Sequence, residues 1–164
     1  MLCVATAAYA GAVAYTTLEG RQELLDALAG AVDDLGLALA MLGAAYEALD
    51  QATADHLEDQ LFGPVQRAYG RAKRAHAAFA ERAGLPGATF EAQSSGLPST
   101  GAKGFIDNAT NAIGAAAGEL ATLQDSPKML EVGDAELRRN LIELRELIAD
   151  VPQRARDLVR RLGR

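Results

Sequence analysis

The chain has no tryptophan, a single cysteine and no Glu-x-x-His sequence, and each absence removes a class of protein. Cys3 has no partner within the chain and cannot close an internal disulfide, so nothing points to an oxidising compartment and a cytoplasmic location is the default expectation. Without Glu-x-x-His pairs, the inward ligand set of a di-iron helical bundle cannot be assembled. The two imidazoles are His56, within Asp55-His56-Leu57-Glu58-Asp59, and His76. One imidazole among first-turn carboxylates reads as a solvated helix start matched to the helix dipole, and only weakly as a metal site. No serine or cysteine stands in a nucleophile motif, and Gly101-Ala102-Lys103-Gly104 lacks the spacing of a phosphate-binding loop. The expectation is a protein that is not an enzyme and carries no cofactor or metal.

Residues that favour strands are also scarce. Aromatics make up 5% of the chain, β-branched residues are few, and alanine supplies about a fifth, a balance that favours helix and starves a sheet. At 164 residues the chain fits one domain with a core large enough to need no metal or disulfide. A net charge of −6 argues against general affinity for nucleic acid, because a phosphate-binding surface needs a basic surplus.

What the chain does have is period. Leu25, Leu28, Val32, Leu35, Leu39, Leu42, Tyr46 and Leu49 recur at alternating three- and four-residue steps, the spacing that lines up one stripe on a helix. Phe62, Val65, Tyr69, Ala72, His76, Phe79 and Ala83 form a second stripe. Ile106, Ala109, Ile113, Ala116 or Ala117, Leu120 and Leu123 form a third, and Leu137, Leu141, Leu144, Ile148, Val151, Ala155, Leu158 and Leu162 a fourth. These predict an all-α, antiparallel four-helix bundle with coiled-coil-like seams and helices at about 16–50, 53–84, 102–125 and 134–162. Thr16-Thr17-Leu18-Glu19 reads as a capping box where the first helix starts or restarts. Gly63-Pro64 should kink the second helix, Gly84 should stop it, Ser126-Pro127 should end the third, and Pro152 should bend the fourth without ending its stripe.

Residues 85–101 are rich in Gly, Pro, Ser and Thr and form the one long loop, of a length that suits a crossover, with Leu85, Phe90 and Leu97 as its apolar anchors. Residues 1–15 are an apolar segment expected to pack on the bundle, although whether they continue the first helix or fold back is open. The uncharged stretch from Met1 to Leu18 lacks the basic start of a signal peptide and the strong apolarity of a span. Its alternative is a membrane anchor whose beginning lies upstream.

Charge changes sign from segment to segment. Residues 19–60 hold ten acids and one base, 61–84 five bases and one acid, 85–134 six acids and two bases, and 135–164 eight bases and five acids. In a simple up-down bundle, acidic helices would therefore sit beside basic ones. Arg67, Arg71 and Arg74, spaced i, i+4, i+7, form the clearest single-sign row, suited either to pairing with Asp33 and Asp26 of the first helix or to an external anion. Gly114-Ala115-Ala116-Ala117-Gly118 has the small-xxx-small spacing of closely packed helices.

His76, on an apolar stripe, needs a hydrogen-bond partner or must bear the cost of desolvation. From Leu35 to Tyr46 no charged or strongly polar side chain appears on any side of the helix, so something must cover its outer face. The leading functional expectation is protein–protein contact or self-association, as a homo-oligomer or with a protein partner. The alternatives are a carrier of an apolar small molecule touched by Tyr46, Tyr69 and His76, and a membrane-tethered domain held through residues 1–18.

Overall fold

The structure is a computed structural model that describes the backbone of residues 2–164 and the side chains of residues 16–164. It is all-helical, with no strand among the described residues. The elements are α1 (Leu2–Glu47), α2 (Gln51–Leu57), a π turn (Glu58–Phe62), α3 (Gly63–Ala83), a 3-10 turn (Pro98–Thr100), α4 (Gly101–Asp125), α5 (Pro127–Val132), α6 (Ala135–Ile148) and α7 (Val151–Leu162).

Helix α1 does not start at the expected capping box. It runs through Thr16 from Leu2, because the Ala-rich segment before it holds no proline and propagates helix readily. The packing expected of residues 1–15 lies outside the described side chains. At its other end α1 stops at Glu47, short of the expected Asp50, which instead caps α2: its Oδ1 accepts from the Thr53 amide at 3.1 Å and its Oδ2 from the Thr53 hydroxyl at 2.7 Å.

From Gln51 to Ala83 the helical run is continuous, and the expected disturbance at Pro64 takes the form of the π turn just before it. Proline has no amide and crowds the carbonyl one turn back; widening that turn, so that the Gly63 amide bonds the Glu58 carbonyl, absorbs both problems without a break. Gly84 ends α3 as expected, with φ 67° in the left-handed region that favours glycine. Ser126-Pro127 ends α4, but the chain turns at once into α5, whose Lys128 amide is capped by the Ser126 hydroxyl at 3.2 Å. The fourth helix is not bent but divided: residues 149 and 150 form a turn between α6 and α7, and Pro152 sits in the first turn of α7, where its missing amide costs nothing. The stripe survives the division, with Leu137, Leu141, Leu144, Ile148, Val151, Ala155 and Leu158 all buried.

Pairwise packing sets the order in space. Gly20 lies against Val132 and Gly30 against Glu119, so α1 runs antiparallel to α4; Gly36 lies against Tyr69, with His76 near Leu25, so α1 also runs antiparallel to α3. Arg82 meets Asp134, Arg71 meets Glu143 and His56 meets Arg161, so α6 and α7 run antiparallel to the α2–α3 run. Helix α4 completes the ring against α6 and α7. Helices α3 and α4 therefore point the same way and lie diagonally, and residues 85–97 return the chain from one end to the other. The expected crossover is present. Of its anchors Leu85 and Phe90 pack on the core, but Leu97 is 73% exposed, because the chain has already turned into the 3-10 start of α4.

The core lies where the four stripes meet. Leu28, Val32, Leu35, Leu61, Val65, Ile106, Leu120, Leu141 and Leu144 are fully enclosed, each large side chain contributing about 1.5–3 kcal/mol by leaving water.

Candidate functional site

Arg67, Arg71 and Arg74 project from α3 into a groove of about 600 Å³ between α3 and α6, together with Gly70, Glu143, Glu146 and Leu147. The expected pairing with Asp33 and Asp26 of α1 is not what the fold produces. Arg71 forms an ion pair with Glu143, and its Nη1 lies 3.4 Å from Asn140 Oδ1. The row faces α6 because Ala68, Ala72 and Ala75 take the buried side of α3, which turns the arginines away from α1. Arg74 folds its guanidinium back over Gly70, and Arg67 lies over Gly63. Among the described residues neither makes an ion pair.

His76 is 3% exposed and its Nδ1 has no hydrogen-bond partner among the described residues, so it is a core histidine with one nitrogen unsatisfied there. Its ring stands edge-on to Phe90 of the crossover, with centroids 5.4 Å apart and planes at 90°. Burial pushes its pKa below the ordinary value, against the opposing pull of the Asp26 carboxylate and the Leu25 backbone.

The three polar side chains suggested for an apolar ligand are not gathered together. Tyr69 packs on Gly36 with the Lys73 ammonium 4.4 Å from its ring centre, two helical turns from His76. Tyr46 lines a separate cleft of about 260 Å³ with Gly43, Glu47, Glu58 and Phe62, at the hairpin end.

Charge alternation, the simplest expectation from the sequence, holds only in part: acidic α1 lies beside basic α3 and acidic α4 beside α6 and α7. The crossover also puts acidic α4 beside acidic α1 and leaves basic α3 beside α6. Glu119 lies over Gly30, close enough that a Cβ there would come within 2.7 Å of its carboxylate. Asp34 is held above the usual carboxylate range by partial burial and by Asp33, and Glu119 by burial and then by Asp34 and Asp33. No sequence signal gives this cluster, because its members come from helices whose adjacency the sequence does not state.

The small-residue run of α4 also faces the other way from expectation. A Cβ added at Gly114 or Gly118 would meet nothing within 4 Å, because Ala109, Ile113, Ala116 and Leu120 hold the buried side and rotate both glycines outward. His56 lies 3.3 Å from Arg161, and Asp157 pairs with Arg160 at 3.2 Å. Among the described residues no three His, Cys, Asp or Glu side chains converge on a point where a metal could sit.

The stretch from Leu35 to Tyr46 contains no fully exposed residue, yet it is not sealed. Leu35, Ala38, Leu42 and Ala45 are buried, while Leu37, Ala40 and Ala44, on the opposite side at 100° per residue, are half-buried. Tyr69 and the crossover residue Gln93 cover the Gly36 edge of this face. No family model, curated protein or solved structure matches the chain.

Proposed function

We propose that the chain is an antiparallel four-helix bundle that works by contact and not by catalysis, with the outer face of α1 over Leu35–Tyr46 as its principal contact surface. The observation that carries this reading is the absence of a wet face across three turns of α1. A bundle helix with no partner outside it keeps one polar side; here Leu37, Ala40 and Ala44 occupy that side and remain only partly covered. The occupant is a protein partner or a second copy of the chain. An apolar ligand finds less support, because Tyr46, Tyr69 and His76 stand at three separate levels.

Membrane tethering remains the second reading, and one observation favours it. By length and composition α1 over Thr16–Glu47 suffices to cross a membrane, with a mean hydropathy of 1.5 in its most apolar window, of which 33% is buried within the fold. Light scattering on wild type and Leu37→Glu tests the contact reading. Wild type should exceed the monomer mass or capture a partner, and the charge should abolish it. A monomer with no partner and with full flotation on vesicles would move the case to the membrane.

A further inference from the structure

The tertiary packing leaves the molecule with two long faces of opposite sign. Over 16–47 and 101–132, the stretches that form α1, α4 and α5, there are ten carboxylates and three bases; over 63–83 and 135–162, which form α3, α6 and α7, there are twelve bases and six carboxylates. Because α1 and α4 are neighbours, and α3 and α6 are neighbours, these sets lie on opposite sides.

Internal pairing does not cancel either side. Among the described residues the ion pairs of the acidic face are Glu23–Lys128 and Asp107–Lys103, while Asp33, Asp34 and Glu119 stand together with no ion pair to a base. On the basic face Arg71, Arg82, Arg154 and Arg160 reach carboxylates, but Arg67, Arg74 and Arg139 make no ion pair among the described residues. The middle of the acidic face is an open groove of about 570 Å³ between α1 and α4, where Gly114, Ala115 and Gly118 are exposed and carry almost no side chain.

We infer that further copies of this chain associate head to tail, the acidic α1–α4 face of one docking on the basic α3–α6 face of the next. The argument for a second copy as the occupant is charge complementarity: every molecule carries both halves of the contact. Opposed potentials steer the encounter and fix its register. Because the two patches are different and lie on opposite sides, the contact is heterologous and repeats into open chains instead of closing as a two-fold dimer. This deepens the contact reading above and rests on its premise that the protein works by association; Asp33 lies one turn before Leu37 on the same side of α1, so the charged surface adjoins the apolar one.

Sedimentation velocity on the full chain tests it. At low salt the sedimentation coefficient should climb with concentration. At about 1 M salt, where the screening length falls to about 3 Å, association should weaken by at least about tenfold. Two charge reversals sharpen the test, both at exposed positions: Asp33→Lys with Glu119→Lys, and Arg67→Glu with Arg74→Glu. Each variant alone should sediment as a monomer, and a one-to-one mixture should recover assembly, because each then meets its opposite. Assembly that ignores salt and survives both reversals, but is lost in Leu37→Glu, overturns this inference and leaves the apolar contact standing. A wild-type monomer at every concentration and salt level overturns it outright. Should either reversed variant fail to fold, the salt dependence of wild type decides.

Discussion

Replacing His76 by leucine should flatten the pH dependence of stability on the acid side of neutrality. The imidazole is nearly solvent-free, one nitrogen is unpaired among the described residues, and burial depresses its pKa below 6.5. The sign follows from linkage. In the window between the depressed folded value and 6.5 the unfolded chain binds a proton that the folded chain refuses, so His76 costs no proton-linked stability above 6.5 and progressively more below it. The largest slope one group can give is about 1.4 kcal/mol per pH unit, and it ceases once the folded state also protonates. Leucine has similar volume and no ionisable group. It also removes the unpaired nitrogen, whose burial costs about 1–3 kcal/mol, while the Leu25 carbonyl keeps its place in the backbone ladder of α1.

Urea unfolding of both proteins at pH 7.5 and pH 5.5 provides the assay. Wild type should lose up to about 1.4 kcal/mol more than His76→Leu between the two, and the variant should match or exceed wild-type stability at neutral pH. Differencing the two proteins cancels the titration of the carboxylates common to both. Equal losses in the two would refute the burial argument, and a wild type that gained stability on acidification would show that Asp26 governs the ring instead.

Several other perturbations have expected outcomes. Gly114→Ala and Gly118→Ala should each raise stability by about 0.5–1 kcal/mol in thermal or urea melts, because the new methyl meets no atom and alanine restricts the unfolded chain. Glu119→Gln should stabilise by about 0.2–0.5 kcal/mol after allowance for solvent screening. Since the folded pKa of Glu119 is raised, that gain should vanish below about pH 4 and be complete at neutral pH, which paired melts at the two pH values would check. Asp134→Ala removes both the cap on the Leu137 amide at 2.8 Å and the two-pronged contact from Arg82 at 2.7 and 3.0 Å, and should cost about 1–2 kcal/mol; Arg82→Ala, which spares the cap, should cost less.

Helix was legible throughout, because apolar period and alanine content are local properties. The stripes from Leu25 to Leu42, from Ile106 to Leu123 and from Leu137 to Leu158 point inward almost residue for residue, and Gly84 stops its helix where its φ requires. Boundaries were less legible where two local signals competed. Thr16 offers a cap but nothing before it breaks the helix, and Pro152 tolerates a helix start as readily as a bend. The outward turn of Gly114 and Gly118 was readable from the stripe beside them, since the phase of Ile113, Ala116 and Leu120 leaves both on the other side.

The sequence alone determined that this chain is helical, which faces of its helices avoid water, and that α1 lacks a polar side from Leu35 to Tyr46, since each follows from side-chain chemistry spaced along one helix. Tertiary structure alone decided which helices became neighbours. By sending residues 85–97 along the length of the fold, it set acids beside acids and Arg71 beside Glu143, because a helix reports its own buried face and says nothing of the charge on whatever covers it.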